Sequence, residues 1–347
     1  MELRFKNSFL DQAPTRNLSD EELERIAAAY KLAKSNHRGH LPEYKVGNEW
    51  SPIYERYMSE FVEALQGADT TALRHELENF FRRPFSNGLH GLHFEMTERY
   101  MTQGREISTE DASAYAHTIT ADLDRLVRSV PHLDITKVNV PLAGNPYGYE
   151  IDGKFFHSLH FLYFSEKIRL LIDSDTARIV ELGAGYGGMA WAIKHSIPQA
   201  QYIDFDLPEV LAIASFYALS CIPDVKVGLF GEVDVSDDQA IKNYDMLFMP
   251  NFEIENLKSD SADLSLNTWS LAEMEETAIT NYVKHLCRIS SRYFFHVNHT
   301  ERCRMGSDFF PIDYDKYRLM HRAPSMWGKS ALRNNWVNEH EFIYIAK

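Results

Sequence analysis

Four glycines follow a short apolar run in the segment RIVELGAGYGGMAW, residues 178–191. Gly183, Gly185 and Gly187 let the backbone turn tightly and approach a ligand without a side chain in the way. Gly183, Gly185 and Gly188 also satisfy G-x-G-x-x-G, the spacing of dinucleotide-binding turns. The spacing alone is a weak signal. The turn is compatible with two ligands, a dinucleotide pyrophosphate and the S-adenosyl group of a methyl donor.

Two acidic residues near this turn bear on the choice of ligand. Glu181 precedes the first glycine by two residues, and Asp206 ends the next strand-like run, QYIDFD. A carboxylate at Glu181 would repel a pyrophosphate but suits a ligand with an ammonium and a sulfonium. An acid at Asp206 can accept hydrogen bonds from both ribose hydroxyls, which fits either ligand. Taken together, the acids favour the methyl donor.

Strand-like and helical runs alternate from residue 178 onward, and this pattern must position the turn. Six runs are typical of strands: RIVEL, QYIDFD, VKVGLF, YDMLFMP, ADLSLN and RYFFHVN. The alternation predicts a mostly parallel sheet covered by helices, with the glycine turn at the carboxyl end of its first strand. No helical run separates YRLMHRAPSM from HEFIYIAK, which predicts an antiparallel terminal hairpin at the sheet edge.

The first 150 residues have the pattern of helices followed by a linker. Ser19 and Glu22 form a capping box ahead of the first helical run. Three further helical runs are SPIYERYMSEFVEALQG, TTALRHELENFFRRPF and STEDASAYAHTITADLDRLVRSV. Prolines and glycines then concentrate over residues 131–154. We therefore predict an α-helical N-terminal region over residues 1–150 and a sheet domain over residues 151–347.

Composition and charge exclude several classes of protein. The formal net charge is -14, which argues against general binding to nucleic acid or to an anionic membrane. Three cysteines without close metal-type spacing predict reduced thiols. The N-terminus lacks the apolar stretch of a signal peptide, and no run approaches the roughly 18 apolar residues of a membrane span. We expect a cytoplasmic protein with no nucleic-acid partner.

The glycine turn and the acid after the second strand resemble a known family. E-L-G-A-G-Y-G-G followed by D-F-D-L-P-E-V is similar to class I S-adenosylmethionine-dependent methyltransferases. ADLSLNTWSLAEM resembles the D-L-x-x-N-x-x-S-x-x-E-M segment of sugar O-methyltransferases of polysaccharide and glycosylated natural-product pathways, and YFFHVN fits the same group. The resemblance covers roughly residues 150 to 347. It implies a Rossmann-like class I methyltransferase sheet with S-adenosyl-L-methionine (SAM) as the cofactor.

The resemblance also implies which residues hold the methyl donor. The amino acid part of the donor would be surrounded by Glu181, Gly183, Ala184, Gly185 and Gly187. Asp206 would bind the ribose, with Leu207 beside the adenine. After the third strand, Asn251 and Phe252 would meet the adenine, unless VKVGLFGEVD is that strand and supplies Phe230 and Glu232 instead. Asn267 and Thr268, after the fourth strand, would lie under the sulfonium.

A sugar hydroxyl is a weak nucleophile, so a general base would help methyl transfer. Glu273 and His299 are our candidates for the groups closest to the acceptor, and His157 is the third. Each has a structural alternative, such as packing for His157 or a helix-dipole acid for Glu273. His296, His299 and Cys303 have too loose a spacing to predict a metal site, so we expect none.

The sequence therefore predicts a SAM-dependent methyltransferase that acts on a hydroxyl of a sugar, in a nucleotide sugar, a glycan or a glycosylated natural product. The helical region would close the cleft, select the acceptor and support a homodimer. Three alternatives stay open. They are methylation of a non-sugar small molecule, an NAD-dependent oxidoreductase, and a degenerate fold that only binds a partner.

Overall fold

The computed structural model describes residues 3–6, 16–36, 41–48, 50–86, 89, 109–146, 148–151, 154–300, 305–325 and 339–347. Its helices are α1 (Asp20–Asn36), α2 (Ser51–Tyr57), α3 (Ser59–Gln66), α4 (Thr70–Glu78), α5 (Thr109–Ser129), α6 (Leu159–Ile172), α7 (Gly188–Ser196), α8 (Pro208–Cys221), α9 (Asp238–Ile241) and α10 (Glu276–Ile289). Its strands are β1 (Leu3–Lys6), β2 (Gly148–Ile151), β3 (Lys154–Phe156), β4 (Arg178–Leu182), β5 (Gln201–Asp206), β6 (Val227–Leu229), β7 (Met246–Pro250), β8 (Ala262–Thr268), β9 (Ser290–His299), β10 (Tyr317–Pro324) and β11 (Glu339–Ala346).

Eight of the described strands form one sheet in the order β10-β11-β9-β8-β4-β5-β7-β6. Strands β4 to β9 run parallel, and β11 pairs antiparallel with both β9 and β10. The chain leaves β4 toward β5 on one side and later returns to β8 on the other. The order therefore reverses at β4, where the glycine turn begins. This is the predicted Rossmann-like sheet, and its antiparallel terminal hairpin is confirmed.

Side chains that alternate along the strands build two cores. Ile179, Tyr202 and Phe295 pack with α1, α6, α7 and α8 in one cluster, and we call this side the α8 face. Val180 and Ile203 pack with α10 in the other cluster, on the α10 face. All 14 residues of α8 are buried, because α1 covers the side of α8 that would otherwise meet solvent.

The N-terminal region matches the predicted helices in part. The Ser19–Glu22 capping box is confirmed, since Glu22 N donates to Ser19 Oγ (3.2 Å) and Ser19 N donates to Glu22 Oε2 (2.9 Å). The single helix expected over residues 51–66 is interrupted at Met58, and α4 ends at Glu78, well before Pro84. A short helical turn, Phe80–Arg82, follows α4 because Phe80 and Phe81 are drawn into the core.

A three-stranded sheet of β1, β2 and β3 was not predicted. It pairs residues 3–6 with residues 148–151, so its register depends on contacts between distant parts of the chain. The position between residues 150 and 151, where we divide the chain, falls inside β2. The two-domain division stays a prediction.

One buried carboxylate connects the N-terminal region to the sheet. Glu209, in the first turn of α8, is 2% exposed. It accepts hydrogen bonds from Tyr54 Oη (2.7 Å) and Tyr30 Oη (3.3 Å), and Lys34 Nζ lies 2.8 Å away. Because buried charges require such partners, this cluster holds α1 and α2 against α8.

Candidate functional site

The glycine turn joins β4 to α7 at the centre of the sheet. Gly183, Gly185 and Gly187 have φ angles of 75°, 61° and 89°, a region that disfavours side chains. A Cβ on Gly183 would also lie 2.2 Å from Ser270 Oγ. At Gly185 the nearest atom to such a Cβ would be 3.6 Å away, on Leu89. The turn therefore needs glycine for its conformation, and its middle faces a space bordered by Leu89.

Two carboxylates of β5 support the turn from below. Asp206 Oδ2 accepts a hydrogen bond from Gly185 N (3.1 Å), and Asp206 Oδ1 accepts one from Leu207 N (2.7 Å). Asp204 Oδ1 accepts from Ala184 N at 3.4 Å. The carboxyl end of β5 thus fixes the shape of the turn and orients the Asp206 carboxylate beside it.

Glu181 lies under the turn on the α8 face and is fully buried. Its side chain accepts hydrogen bonds from Tyr202 Oη and from Thr268 Oγ1, the latter at 3.2 Å. Burial raises the pKa of Glu181 to about 8, against the lowering effect of the Thr268 hydrogen bond. Burial, with repulsion from neighbouring carboxylates, also raises the pKa of Asp204 and Asp206. A cationic ligand here would relieve this strain by favouring the charged carboxylates.

The third strand beside the turn is β7, because β7 pairs directly with β5 whereas β6 lies at the sheet edge. This pairing supports Asn251 and Phe252 as the residues after the third strand. Asn251 is 5% exposed; its Nδ2 donates to Tyr282 Oη (2.8 Å), and its Oδ1 accepts no hydrogen bond. Phe252 is buried edge-on to Phe230, with ring centroids 5.8 Å apart. An unpartnered buried amide oxygen is a ready acceptor for an amino group.

Asn267 holds the loops after β4 and β8 together. Its Nδ2 donates to Leu182 O (2.8 Å) and Ser270 Oγ (2.6 Å). Its Oδ1 accepts from Asn298 Nδ2 (2.8 Å) and Leu271 N (3.3 Å). Asn267 therefore serves the site by fixing the loops around it, while its neighbour Thr268 contacts Glu181.

The three candidate bases lie in different surroundings. His157 is 8% exposed and packs edge-on against Phe81. Glu273 is half-buried and accepts a hydrogen bond from Trp50 Nε1 (3.0 Å). His299 is 4% exposed, at the end of β9, with its Nδ1 3.6 Å from Glu339 Oε1. His299 thus lies beside a carboxylate, and Glu273 accepts a hydrogen bond from an N-terminal residue that the sequence analysis did not place near it.

Trp269 is a residue of the site that the sequence analysis missed. It follows Thr268 with φ 66° and ψ −35°, a conformation that is costly for any residue but glycine. Its ring lies edge-on to His160, with centroids 5.1 Å apart. Burial and the nearby His157 lower the pKa of His160 to about 3, so this imidazole is neutral. The sequence does carry a signal for Trp269, because it is an aromatic residue directly after a strand whose carboxyl end lies near the glycine turn.

Residues 41–48 and 50–57 form a strap across the carboxyl ends of the strands. Tyr44 Oη donates to Glu255, after β7. A Cβ on Gly47 would lie 2.5 Å from the carbonyl oxygen of Glu273, after β8. Trp50 Nε1 donates a hydrogen bond to the Glu273 side chain, and Tyr54 Oη donates one to Glu209, which follows β5. The strap therefore connects the loops that follow three strands around the glycine turn.

A second N-terminal segment meets the turn itself. Tyr186, in the turn, is 1% exposed and lies against Phe80 and Phe81 with ring centroids 6.0 Å and 4.9 Å away. Leu89 borders Gly185, as described above. The N-terminal region thus contacts the turn from the α8 face while the strap crosses the strand ends.

Other expectations concern absences or fall partly outside the described residues. Within the described ranges, no helix is long and apolar enough to cross a membrane, and no three His, Cys, Asp or Glu side chains are grouped to hold a metal ion. Cys221 and Cys287 are buried free thiols, and Cys303 lies outside the described residues.

No protein-family model and no curated protein matches the chain. Among solved structures, the chain is similar to a magnesium protoporphyrin IX methyltransferase from Synechocystis PCC 6803 with bound SAM, at 10% identity over 54% of this chain and 79% of that one, with a TM-score of 0.36. It is also similar to a TehB-like SAM-dependent methyltransferase from Corynebacterium glutamicum, at 12% identity over 53% of this chain and 88% of that one, with a TM-score of 0.35. The fold assignment rests on the strand order given above.

Proposed function

We propose that this chain is a SAM-dependent O-methyltransferase. The observation that carries the proposal is the group of acceptors around the glycine turn. Glu181 and Asp206 suit the positive charge and the ribose hydroxyls of the donor, and Asn251 Oδ1 suits the adenine amino group. A pyrophosphate would instead meet Glu181, Asp204 and Asp206, which disfavours a dinucleotide.

When bound, the donor supplies an electrophilic methyl group on a sulfonium. The residues around the turn would hold it by its charge and its ribose, and the N-terminal region would exclude water from it. Most of the acceleration would come from aligning an acceptor oxygen with the methyl carbon and the departing sulfur. A base near the ends of β8 and β9 would take the proton of the hydroxyl.

A sugar hydroxyl is our proposed acceptor, in a nucleotide sugar, a glycan or a glycoside. Its support is the resemblance carried by residues 262–274 and by YFFHVN. The half-buried Trp269 adds support, because an aromatic ring can pack against the apolar face of a sugar. We further propose that residues 1–150 select the acceptor, and that the protein acts in the cytoplasm.

Calorimetric titration of S-adenosylhomocysteine (SAH) tests the donor site. We expect micromolar binding to the wild type and at least tenfold weaker binding, about 1.4 kcal/mol, to Asp206→Ala. Asp206→Asn removes the charge but keeps an oxygen that can accept the hydrogen bond from Gly185 N. Comparing it with Asp206→Ala separates the effect of the charge from the effect of disturbing the glycine turn. The exposed Asp315→Ala serves as the control and should bind like the wild type. Binding of NAD in place of SAH would refute the proposal.

A further inference from the structure

His299 and Glu339 face each other at the carboxyl end of β9. They are directly paired residues of the antiparallel strands β9 and β11. Both are buried, 4% and 6% exposed, with His299 Nδ1 3.6 Å from Glu339 Oε1. Paired positions on adjacent strands keep their side chains close, so the sheet itself sets this contact.

Strand register places this pair near Thr268, which we predicted to lie under the sulfonium of the methyl donor. Val297 is the register partner of Thr268, whose hydroxyl contacts Glu181. Because side chains alternate along a strand, His299 lies on the same face as Val297 and Phe295, the α8 face. With about 3.3 Å per residue and about 4.8 Å between strands, the Cα of His299 is roughly 8 Å from that of Thr268. A histidine side chain can span much of this distance.

We propose that Glu339 is a positioning residue for His299 in methyl transfer, an inference that rests on the proposed function. By closing from 3.6 Å to hydrogen-bond distance, the carboxylate would hold the proton of the neutral imidazole on Nδ1, which leaves Nε2 as the base. His299 Nε2 would take the proton of the acceptor hydroxyl while the acceptor oxygen bonds the methyl carbon. The carbon–sulfur bond breaks with its electron pair on sulfur, giving SAH and a methyl ether.

Other ionisable groups on this face have partners of their own. Glu341, two residues along β11, pairs with Lys167 of α6 and accepts a hydrogen bond from Tyr163 Oη (3.5 Å). His321 of β10 lies near both Lys167 and Glu341, and burial lowers its pKa. On α6, His160 is neutral. Among the described residues, Glu339 is thus the carboxylate that directly opposes His299.

The tautomer of His299 tests the proposal without knowledge of the acceptor. We would record ¹⁵N NMR spectra of imidazole-labelled protein and assign His299 by its loss in His299→Gln. We expect the Nδ1–H tautomer in the wild type, and a His299 pKa lowered by about one unit in Glu339→Gln. Glu341→Gln is the matched control, a buried carboxyl on the same face of β11, and should leave the tautomer unchanged.

Two results would overturn the proposal. One is the Nε2–H tautomer in the wild type, which decides the matter even if Glu339→Gln does not fold. The other is an unchanged His299 pKa in a folded Glu339→Gln. SAH titration of the same samples keeps the proposed function separate. If the tautomer is as expected but SAH does not bind, the donor assignment and with it the catalytic role fail, while the His299–Glu339 pairing stands.

Discussion

Glu181, Asp204 and Asp206 crowd the carboxyl ends of two neighbouring strands, and burial raises the pKa of all three. Buried carboxyl groups with raised pKa values are typical of functional sites, and a cationic ligand would favour their charged forms. The strained backbone of Trp269 at the same edge is a second local cost. These three carboxyl groups and Trp269 therefore each lower the stability of the folded protein, as residues at binding sites commonly do.

Glu181 makes the stability of the ligand-free protein depend on pH. Its pKa is about 8 in the folded chain and near 4.5 in the unfolded chain. Between these values the folded state keeps a proton that the unfolded state releases, so the free energy of unfolding falls as pH rises through this window. We would measure the free energy of unfolding by urea at pH 5 and at pH 8. The decrease between these pH values should be smaller in Glu181→Gln than in the wild type, by about 1 kcal/mol or more.

The exposed Glu276→Gln is the control for this experiment and should lose as much stability as the wild type. Asp204 and Asp206 contribute a loss of the same sign in every variant. Because the Glu181 charge also raises the pKa of Asp204, the difference between the two proteins reports Glu181 together with its coupling to these neighbours. Equal losses in the wild type and Glu181→Gln would mean that Glu181 is ionised in the folded protein at pH 5.

Because of its backbone strain, position 269 should be more stable with glycine than with alanine, the reverse of their order in a helix. Trp269→Gly and Trp269→Ala both remove the indole, so their difference reports the backbone. We expect the glycine variant to be more stable by about 1 kcal/mol in urea unfolding, because glycine adopts a positive φ without cost. At the exposed helical residue Thr280 the same pair should favour alanine by a similar amount. A preference for alanine at both positions would argue against strain.

At the scale of elements, the strap of residues 41–48 and 50–57 is the main addition to the sheet. It is held by carboxylates that follow three different strands, at Glu255, Glu273 and Glu209. Glu273, which we predicted as a base, accepts the Trp50 indole N–H in this arrangement. Because the strap crosses these strand ends, we expect it to open before a donor bound at the glycine turn leaves.

Trp50→Phe should therefore release SAH faster. The variant keeps an aromatic ring but loses the hydrogen bond to Glu273, which is worth about 1 kcal/mol, or roughly a fivefold change in rate. Stopped-flow displacement of SAH would measure the dissociation rate constant. Tyr314→Phe, which changes an exposed ring remote from the strap in sequence, should match the wild type. An unchanged rate in Trp50→Phe would show that the strap does not limit release.

At the scale of the whole molecule, the N-terminal region and the sheet share one core. Leu23, Phe61 and Leu77 belong to the same buried cluster as Ile179 and Tyr202 of the sheet. The Glu209 cluster adds polar contacts to this boundary. A core that is continuous across two regions makes them unfold together.

Glu209→Ala should lower the free energy of unfolding of the entire chain by about 2 kcal/mol, because Tyr30, Tyr54 and Lys34 lose their buried acceptor. Urea unfolding followed by near-ultraviolet circular dichroism and by tryptophan fluorescence should give one coincident transition in both proteins. The exposed Glu276→Gln should leave the midpoint unchanged. Two separate transitions would instead show that residues 1–150 fold as an independent domain.

The alternation of strands and helices, the terminal hairpin and the glycine turn with its flanking acids could all be predicted from the sequence. These features depend on local properties: periodicity, backbone freedom at glycine and the position of an acid at a strand end. The sequence also left two candidates for the third strand, VKVGLF and YDMLFMP. Only the pairing of β7 with β5 resolved that choice, because strand order depends on contacts between distant segments.

The tertiary structure alone decided which partners the polar residues meet. Glu273 reaches Trp50, 223 residues away in sequence, and His299 meets Glu339 across a strand pair. Neither spacing nor composition reports such contacts, since they arise when the chain folds back over its own strand ends. The three-stranded sheet of β1, β2 and β3 escaped prediction for the same reason. Local patterns set the elements of this protein, and long-range packing assembled the surroundings of its candidate site.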